Sequence, residues 1–168
     1  DGYNQSVKHV IKASQNHRLR GIIGPVSSIV SVRAGYELAI ETALGFAAQN
    51  IVVQDEGAAR AAISLLKQEK AGRATFLPLD TVRPSNFDRN RLPEGAHLAA
   101  DLVEADSRYA NIVSNLLGRV LVVEELGAAG RAAKSLDYRY RVVTMDGQVV
   151  NAGGSFTGGS ASRSAGIF

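Results

Sequence analysis

Two stretches of the sequence resemble each other: residues 51–65 (IVVQDEGAARAAISL) and residues 121–136 (LVVEELGAAGRAAKSL). With one inserted residue, Gly57 aligns with Gly127, Arg60 with Arg131 and Leu65 with Leu136. Each stretch begins with a short aliphatic run typical of a buried strand and continues into an alanine-rich helix. A helix ending in Leu-Gly precedes each stretch, and an arginine-led strand follows it. The repeat predicts a mixed α/β (α+β) fold with two similar lobes.

The boundary between the lobes is expected in an irregular stretch rich in proline, asparagine, arginine and aspartate, residues 81–97. Lobe 1 would then occupy residues 18–80 and lobe 2 residues 98–166. Asp146-Gly147 is a hairpin turn signal, so the strand at 141–145 should pair with residues 148–151.

Composition excludes several classes of function. The 168 residues are 45% hydrophobic, enough for a core, but contain no cysteine. Disulfides, a thiol nucleophile and a thiolate metal site are therefore excluded, and a cytoplasmic protein is favoured. No apolar run approaches 18 residues, so no membrane span is predicted. The net charge of +3 is modest, and basic clusters permit binding to nucleic acid without requiring it.

The glycine-rich segment 151–160 (NAGGSFTGGS) has the strongest functional signal, with paired glycines at Gly153-Gly154 and Gly158-Gly159 flanking Phe156. Glycine is used where the backbone has positive φ, where it lies close to a phosphate, or where another backbone lies close to it. A phosphate loop would need the lysine of the Walker motif, which this segment lacks. A flexible exit loop and a strand edge that accepts a second chain both remain open.

Basic residues suggest a surface for a polyanion. Arg139 and Arg141 alternate with Tyr138 and Tyr140, so an extended segment would place both arginines on one face. Further candidates for phosphate contact lie at the end of the first alanine-rich helix and beyond the glycines: Lys67, Lys70, Arg73 and Arg163. The alternative is a solvated strand edge.

The remaining polar residues carry less information. His9, His17 and His97 lack the spacing of metal ligands. The carboxylate pairs Asp55-Glu56 and Glu124-Glu125 precede the alanine-rich helices, where acids stabilise a first turn through the helix dipole. No catalytic residue or cofactor is predicted.

Several segments in this order resemble the hinge domain of bacterial structural maintenance of chromosomes (SMC) proteins. They are GIIGPV at 21–26, YELAIETALG at 36–45, QNIVV at 49–53, LLG at 116–118 and the stretch 147–159 ending in GGSFTGG. The resemblance covers residues 18 to about 166.

The resemblance implies a non-enzymatic module that forms a ring-shaped homodimer, each lobe meeting the opposite lobe of its partner. Gly153, Gly154, Gly158 and Gly159 match the family's dimer-contact positions, and we include Phe156 with them. Residues 1–17 and 167–168 would belong to coiled-coil arms. The resemblance also implies DNA binding, with single strands often preferred, and a longer ATPase whose distant heads bind kleisin-type subunits. A nucleotide-binding α/β enzyme domain is the alternative.

Overall fold

A computed structural model of the chain describes residues 3–160 and 167–168. The helices are α1 (Gln5–Gln15), α2 (Val26–Ile29), α3 (Glu37–Leu44), α4 (Glu56–Glu69), α5 (Ala110–Leu117) and α6 (Leu126–Ser135). The strands are β1 (Ile22–Pro25), β2 (Ser31–Val32), β3 (Ile51–Val53), β4 (Phe76–Pro78), β5 (His97–Leu98), β6 (Val103–Glu104), β7 (Val120–Val123), β8 (Arg141–Thr144), β9 (Val149–Val150) and β10 (Phe156–Thr157). Short 3₁₀ helices cover Gly45–Gln49, Arg89–Arg91, Ala99–Leu102 and Ser107–Tyr109.

The strands of the described residues form two main sheets and one small one. Lobe 1 contains the order β1-β3-β4, and lobe 2 contains β10-β9-β8-β7-β5. In each lobe one pair is parallel, β3 with β4 and β7 with β8, and a helix crosses between its strands. Parallel neighbours need such a crossover, and the alanine-rich helices α4 and α6 supply it.

The predicted repeat is present in the structure and extends further than the sequence indicated. The order β1-α2-β2-α3-β3-α4-β4 is matched by β5, a 3₁₀ helix, β6, α5, β7, α6 and β8. The second strands of the two units pair with each other, Ser31 with Glu104 and Val32 with Val103. Only lobe 2 adds a hairpin, β9 and β10, beyond its last repeated strand.

The helix caps correct the alignment of the two halves. Asp55 caps α4 and Glu125 caps α6, each accepting a hydrogen bond from the backbone of the third residue that follows. Equating the caps aligns the helix starts without an insertion, and Arg60 then matches Gly130 rather than Arg131. The length difference lies at the far end, because α4 has 14 residues and α6 has 10.

The two lobes share a hydrophobic core. One buried cluster combines residues of both, including Ile40 and Val52 from lobe 1 and Ile112 and Val143 from lobe 2. Each lobe also has a smaller cluster beneath its crossover helix, α4 or α6. The stretch 81–97 therefore joins two repeats of one packed unit, and its 3₁₀ turn and the first residue of β5 give it some regular structure.

Three local features of the structure are not evident from the sequence. On α4, Ile63 is 52% exposed and Leu65 is buried. The Asp106 carboxylate, and not the neighbouring Ser107, accepts the capping bond of the 3₁₀ helix that follows. Residues 26–29 form a helical turn, so β2 starts only at Ser31.

Candidate dimer interface and basic surface

The glycine-rich segment forms the turn between β9 and β10. Gly153, Gly154 and Gly159 have φ of 94°, 102° and 135°, a region that residues with a Cβ rarely adopt. A Cβ on Gly154 would also stand 3.6 Å from the Tyr138 ring. Of the three reasons considered for these glycines, positive φ therefore applies directly to three of the four.

The N–H groups of three of the four glycines are already used inside the chain. Gly153 N–H donates to the Tyr138 carbonyl at 2.7 Å, and Gly154 N–H donates to the Asn151 carbonyl at 3.0 Å. Gly159 N–H donates to Oε1 of Gln148 at 2.8 Å. A phosphate loop needs such N–H groups turned towards the anion. The segment is therefore a poor nucleotide site, which disfavours the enzyme alternative.

Strand β10 is one of the two edge strands of the five-stranded sheet among the described residues. It pairs with β9 on one side only, Phe156 with Val150 and Thr157 with Val149. Asn151 bonds to the carbonyl of Ser155, so the odd-numbered residues of β10 turn their peptide groups towards β9. The N–H and carbonyl groups of Phe156 and Gly158 consequently face outward.

The side chain of Phe156 makes this edge partly apolar. It is 57% exposed, and its ring tip lies 3.9 Å from where a Cβ of Gly130 on α6 would stand. Leu126, on the same helix, is also exposed. A large exposed aromatic side chain on an open strand edge is typical of a protein–protein contact.

Strand β4 offers a second open edge, in lobe 1. It pairs only with β3 within the described residues, and Ile51 donates to the Thr75 carbonyl. Alternation then turns the peptide groups of Ala74 and Phe76 outward. Pro78 has no N–H, and its carbonyl accepts bonds from residues 81 and 82, which limits the free edge to the start of β4. Sequence reasoning missed this edge, although a proline such as Pro78 is a signal of an edge strand.

Arg141 corrects the prediction of a DNA contact at that position. Its guanidinium donates to the carbonyls of Thr42 and Ala43 at 2.8 and 2.7 Å, at the end of α3. Burial lowers the pKa of the Arg141 guanidinium. Because these donors are committed to helix carbonyls inside the protein, Arg141 is removed from the candidate DNA surface.

The predicted alternation of arginine and tyrosine is also wrong. Asp137 and Tyr138 have φ of 57° and 56°, so the chain turns here and becomes a strand only at Arg141. Tyr140 packs edge-on against Phe87, with ring centroids 4.9 Å apart. Arg139 stays largely exposed, with Nε 3.8 Å from Oδ2 of Asp137.

The other predicted basic residues lie at the end of α4. Lys67, Lys70 and Arg73 are exposed, and no described residue pairs with their charged groups. Lys70 ends the helix in the left-handed conformation, at φ 51°. Arg163 lies outside the described residues. The structure thus groups the three lobe 1 residues, whereas Arg139 lies apart from them in lobe 2.

Several of the carboxylates and one of the histidines have structural partners. Glu125 accepts from the N–H groups of Ala128 and Gly127, and these bonds lower its pKa. Asp55 caps α4 in the same way, so one acid of each predicted pair lies at a helix start, as the N-cap and not within the first turn. His9 bonds to Glu69 at 2.7 Å. Within residues 3–160 and 167–168 there is no cluster of possible metal ligands, and no helix has the length and apolarity to cross a membrane.

Comparison with protein families and known proteins gives a consistent result. Residues 19–133 match the family model of the flexible hinge domain of SMC proteins. The chain is 45% identical over 168 residues to the chromosome partition protein Smc of Bacillus subtilis, covering 96% of this chain and 14% of that protein. The chain thus spans about a seventh of the length of this curated relative.

Two solved structures resemble the fold. An asymmetric dimer of the Geobacillus stearothermophilus SMC hinge domain is 44% identical with a TM-score of 0.91, covering 99% of this chain and 70% of that one. The Pyrococcus furiosus SMC hinge domain is 31% identical with a TM-score of 0.73, covering 94% and 90%. Both support the two-lobed mixed α/β architecture.

Proposed function

The chain belongs to the SMC hinge domain family, and from this premise we propose that it is a homodimerisation module rather than an enzyme domain. The observation that carries the proposal is that the two main sheets end in open edges on the side of their last strands, β10 in lobe 2 and β4 in lobe 1. The solved Geobacillus hinge domain is described as a dimer.

The repeat explains why these two edges suit each other. In lobe 2 the position beyond β8 is filled by the hairpin β9–β10, whereas no strand of residues 3–160 or 167–168 fills the equivalent position beyond β4 in lobe 1. A strand from a second copy can fill it, and β10 is a strand with a free edge. The outward groups of Phe156 and Gly158 would then meet those of Ala74 and Phe76.

Two-fold symmetry doubles this contact. If β10 of one copy pairs with β4 of its partner, the same pairing occurs a second time with the roles exchanged. Two separate contacts between the same two copies of the chain close a ring. Each contact is small, and their sum must approach the roughly 1,200 Å² of a stable specific interface.

Phe156→Glu tests the dimer. It places a charge on the open edge of β10 without touching the buried core, so we expect the variant to sediment as a monomer at micromolar concentration. Phe46→Glu is the matched control, because Phe46 is 89% exposed on the 3₁₀ helix Gly45–Gln49 and lies on neither edge. It should remain a dimer. A Phe156→Glu variant as tightly dimeric as the control would reject the proposed interface.

DNA binding is a second candidate function, supported by the exposed and unpaired Lys67, Lys70 and Arg73, with Arg139 as a separate contact. Phosphate contacts release counterions, so affinity should fall steeply as salt rises. Lys67→Glu combined with Lys70→Glu should weaken binding to a single-stranded oligonucleotide and flatten its salt dependence, measured by fluorescence anisotropy. Arg108→Glu with Lys134→Glu changes the net charge equally. If both pairs lower affinity alike, general charge and not this site is responsible.

The biological setting follows from the relatives. We infer that dimerisation joins two copies of a longer, nucleoid-associated SMC ATPase that acts with kleisin-type subunits in chromosome organisation and segregation. The name of the Bacillus subtilis relative, chromosome partition protein Smc, supports this inference.

A further inference from the structure

Gln148 lies beside the glycine segment and binds it in two directions. Its Oε1 accepts from Gly159 N–H at 2.8 Å, and its Nε2 donates to the Gly159 carbonyl at 3.0 Å. The orientation of the amide is further defined by Asp146, whose carboxylate and carbonyl oxygens both lie 3.4 Å from Nε2. A side-chain amide thus makes the same pair of bonds that a peptide group of a neighbouring strand would make.

The strand register explains why a side chain is needed there. Phe156 faces Val150 and Thr157 faces Val149, so continuing the ladder would place Gly159 opposite Gly147. Gly147 is in the hairpin turn, with φ 86° and its N–H donating to the Thr144 carbonyl. Its peptide cannot extend the ladder, and the Gln148 amide takes that place.

The same amide accounts for Gly158. A Cβ at this position would stand 2.0 Å from Oε1 of Gln148, and the three atoms nearest to it all belong to the Gln148 side chain. Gly158 is the one glycine of the two pairs whose φ lies outside the positive range. Its lack of a side chain is therefore required by the amide and not by backbone strain.

We propose that Gln148 is a positioning residue that holds β10 in the extended register in which its outer edge accepts a partner strand. β9 and β10 pair over only two residues each, so their ladder alone orders the edge weakly. Pre-ordering a strand reduces the entropy lost on association and so tightens binding. The inference rests on the proposed dimer through β10 and names the residue that prepares this edge.

A double-mutant cycle tests the proposal. Gln148→Ala removes both bonds to Gly159, and Gly158→Ala displaces the amide that makes them. Each variant should raise the dimer Kd roughly tenfold at each contact, on the order of a hundredfold for a ring that closes twice. The double variant should dimerise no more weakly than either single variant, because all three lose the same two bonds between Gln148 and Gly159. Additive losses would mean that Gly158 makes room for the partner's backbone, which would overturn the assignment of Gly158.

Two further readouts separate this proposal from the proposed dimer itself. Hydrogen exchange of the Gly159 amide should accelerate in Gln148→Ala, even when Phe156→Glu holds the chain monomeric, while the unfolding midpoint stays unchanged. If the Gly159 amide exchanges faster but the dimer Kd equals that of the wild type, the Gln148–Gly159 bonds exist but do not position the interface. The inference would then be wrong. If Phe156→Glu leaves the dimer intact, the proposed dimer edge fails first, independently of the behaviour of Gln148.

Discussion

Arg141 shows how far residue type can mislead at the scale of single residues. An arginine at the end of a run in which arginines alternate with tyrosines predicts a phosphate contact, yet its guanidinium reaches from β8 to the carbonyls of Thr42 and Ala43 at the end of α3. That contact joins residues almost a hundred positions apart, and no local pattern encodes it. The glycines were easier to predict, because three of the four have φ values that favour glycine, and positive φ is one of the reasons for glycine that the sequence suggests.

Arg141→Ala should destabilise the monomer. It would leave two helix-end carbonyls without their charged donor, and the half-buried setting suggests a loss of about 2 kcal/mol in the free energy of unfolding. Urea denaturation measures the loss in the Phe156→Glu background, where dimerisation does not contribute. Arg139→Ala, which removes only an exposed pair, should change stability by less than about 0.5 kcal/mol. Equal stabilities of the two variants would contradict the assigned role of Arg141.

At the scale of elements, the strand–helix–strand units were the most predictable part. The aliphatic runs at 51–53 and 120–123 and the alanine-rich helices after them have strong periodicity, and both units form as expected. The segment 137–140 was not predictable in the same way, because two non-glycine residues adopt positive φ there to turn the chain after α6. The β4 edge was missed because an edge is defined by the strand that is absent beside it.

Helix α1 should loosen from lobe 1 in acid. Hydrogen bonds from Arg18, then His9, hold the pKa of Glu69 below its ordinary 4.5, which ties α1 and the residues after it to the end of α4. A lowered folded pKa gives stabilisation that is present above the ordinary value and lost as pH falls through the folded one. Hydrogen exchange in α1 should therefore accelerate as pH drops below 4.5, after correction for intrinsic rates. Glu69→Gln should abolish this dependence, and its persistence there would exclude Glu69 as the cause.

At the scale of the whole molecule, the two lobes form one unit whose ends differ. The two repeats are joined by the pairing of β2 with β6 and by a common core. Two independent lobes divided at residues 81–97 would need neither. This sharing was not predictable, since β2 and β6 are only two residues long. The two ends differ because lobe 2 has an extra hairpin. Among the described residues, one end therefore has the free edge of β10, and the other has no strand beyond β4. The central claim is that these ends meet in a dimer.

Cross-linking between the two edges tests that claim most directly. The chain has no cysteine, so Thr75→Cys and Thr157→Cys introduce unique thiols at exposed positions beside β4 and in β10. The variant carrying both changes, treated with a short bis-maleimide, should run at twice the 17.8 kDa chain mass in a denaturing gel, and neither single variant should. A double variant that stays at the monomer mass, or single variants that cross-link equally well, would contradict pairing of β10 with β4.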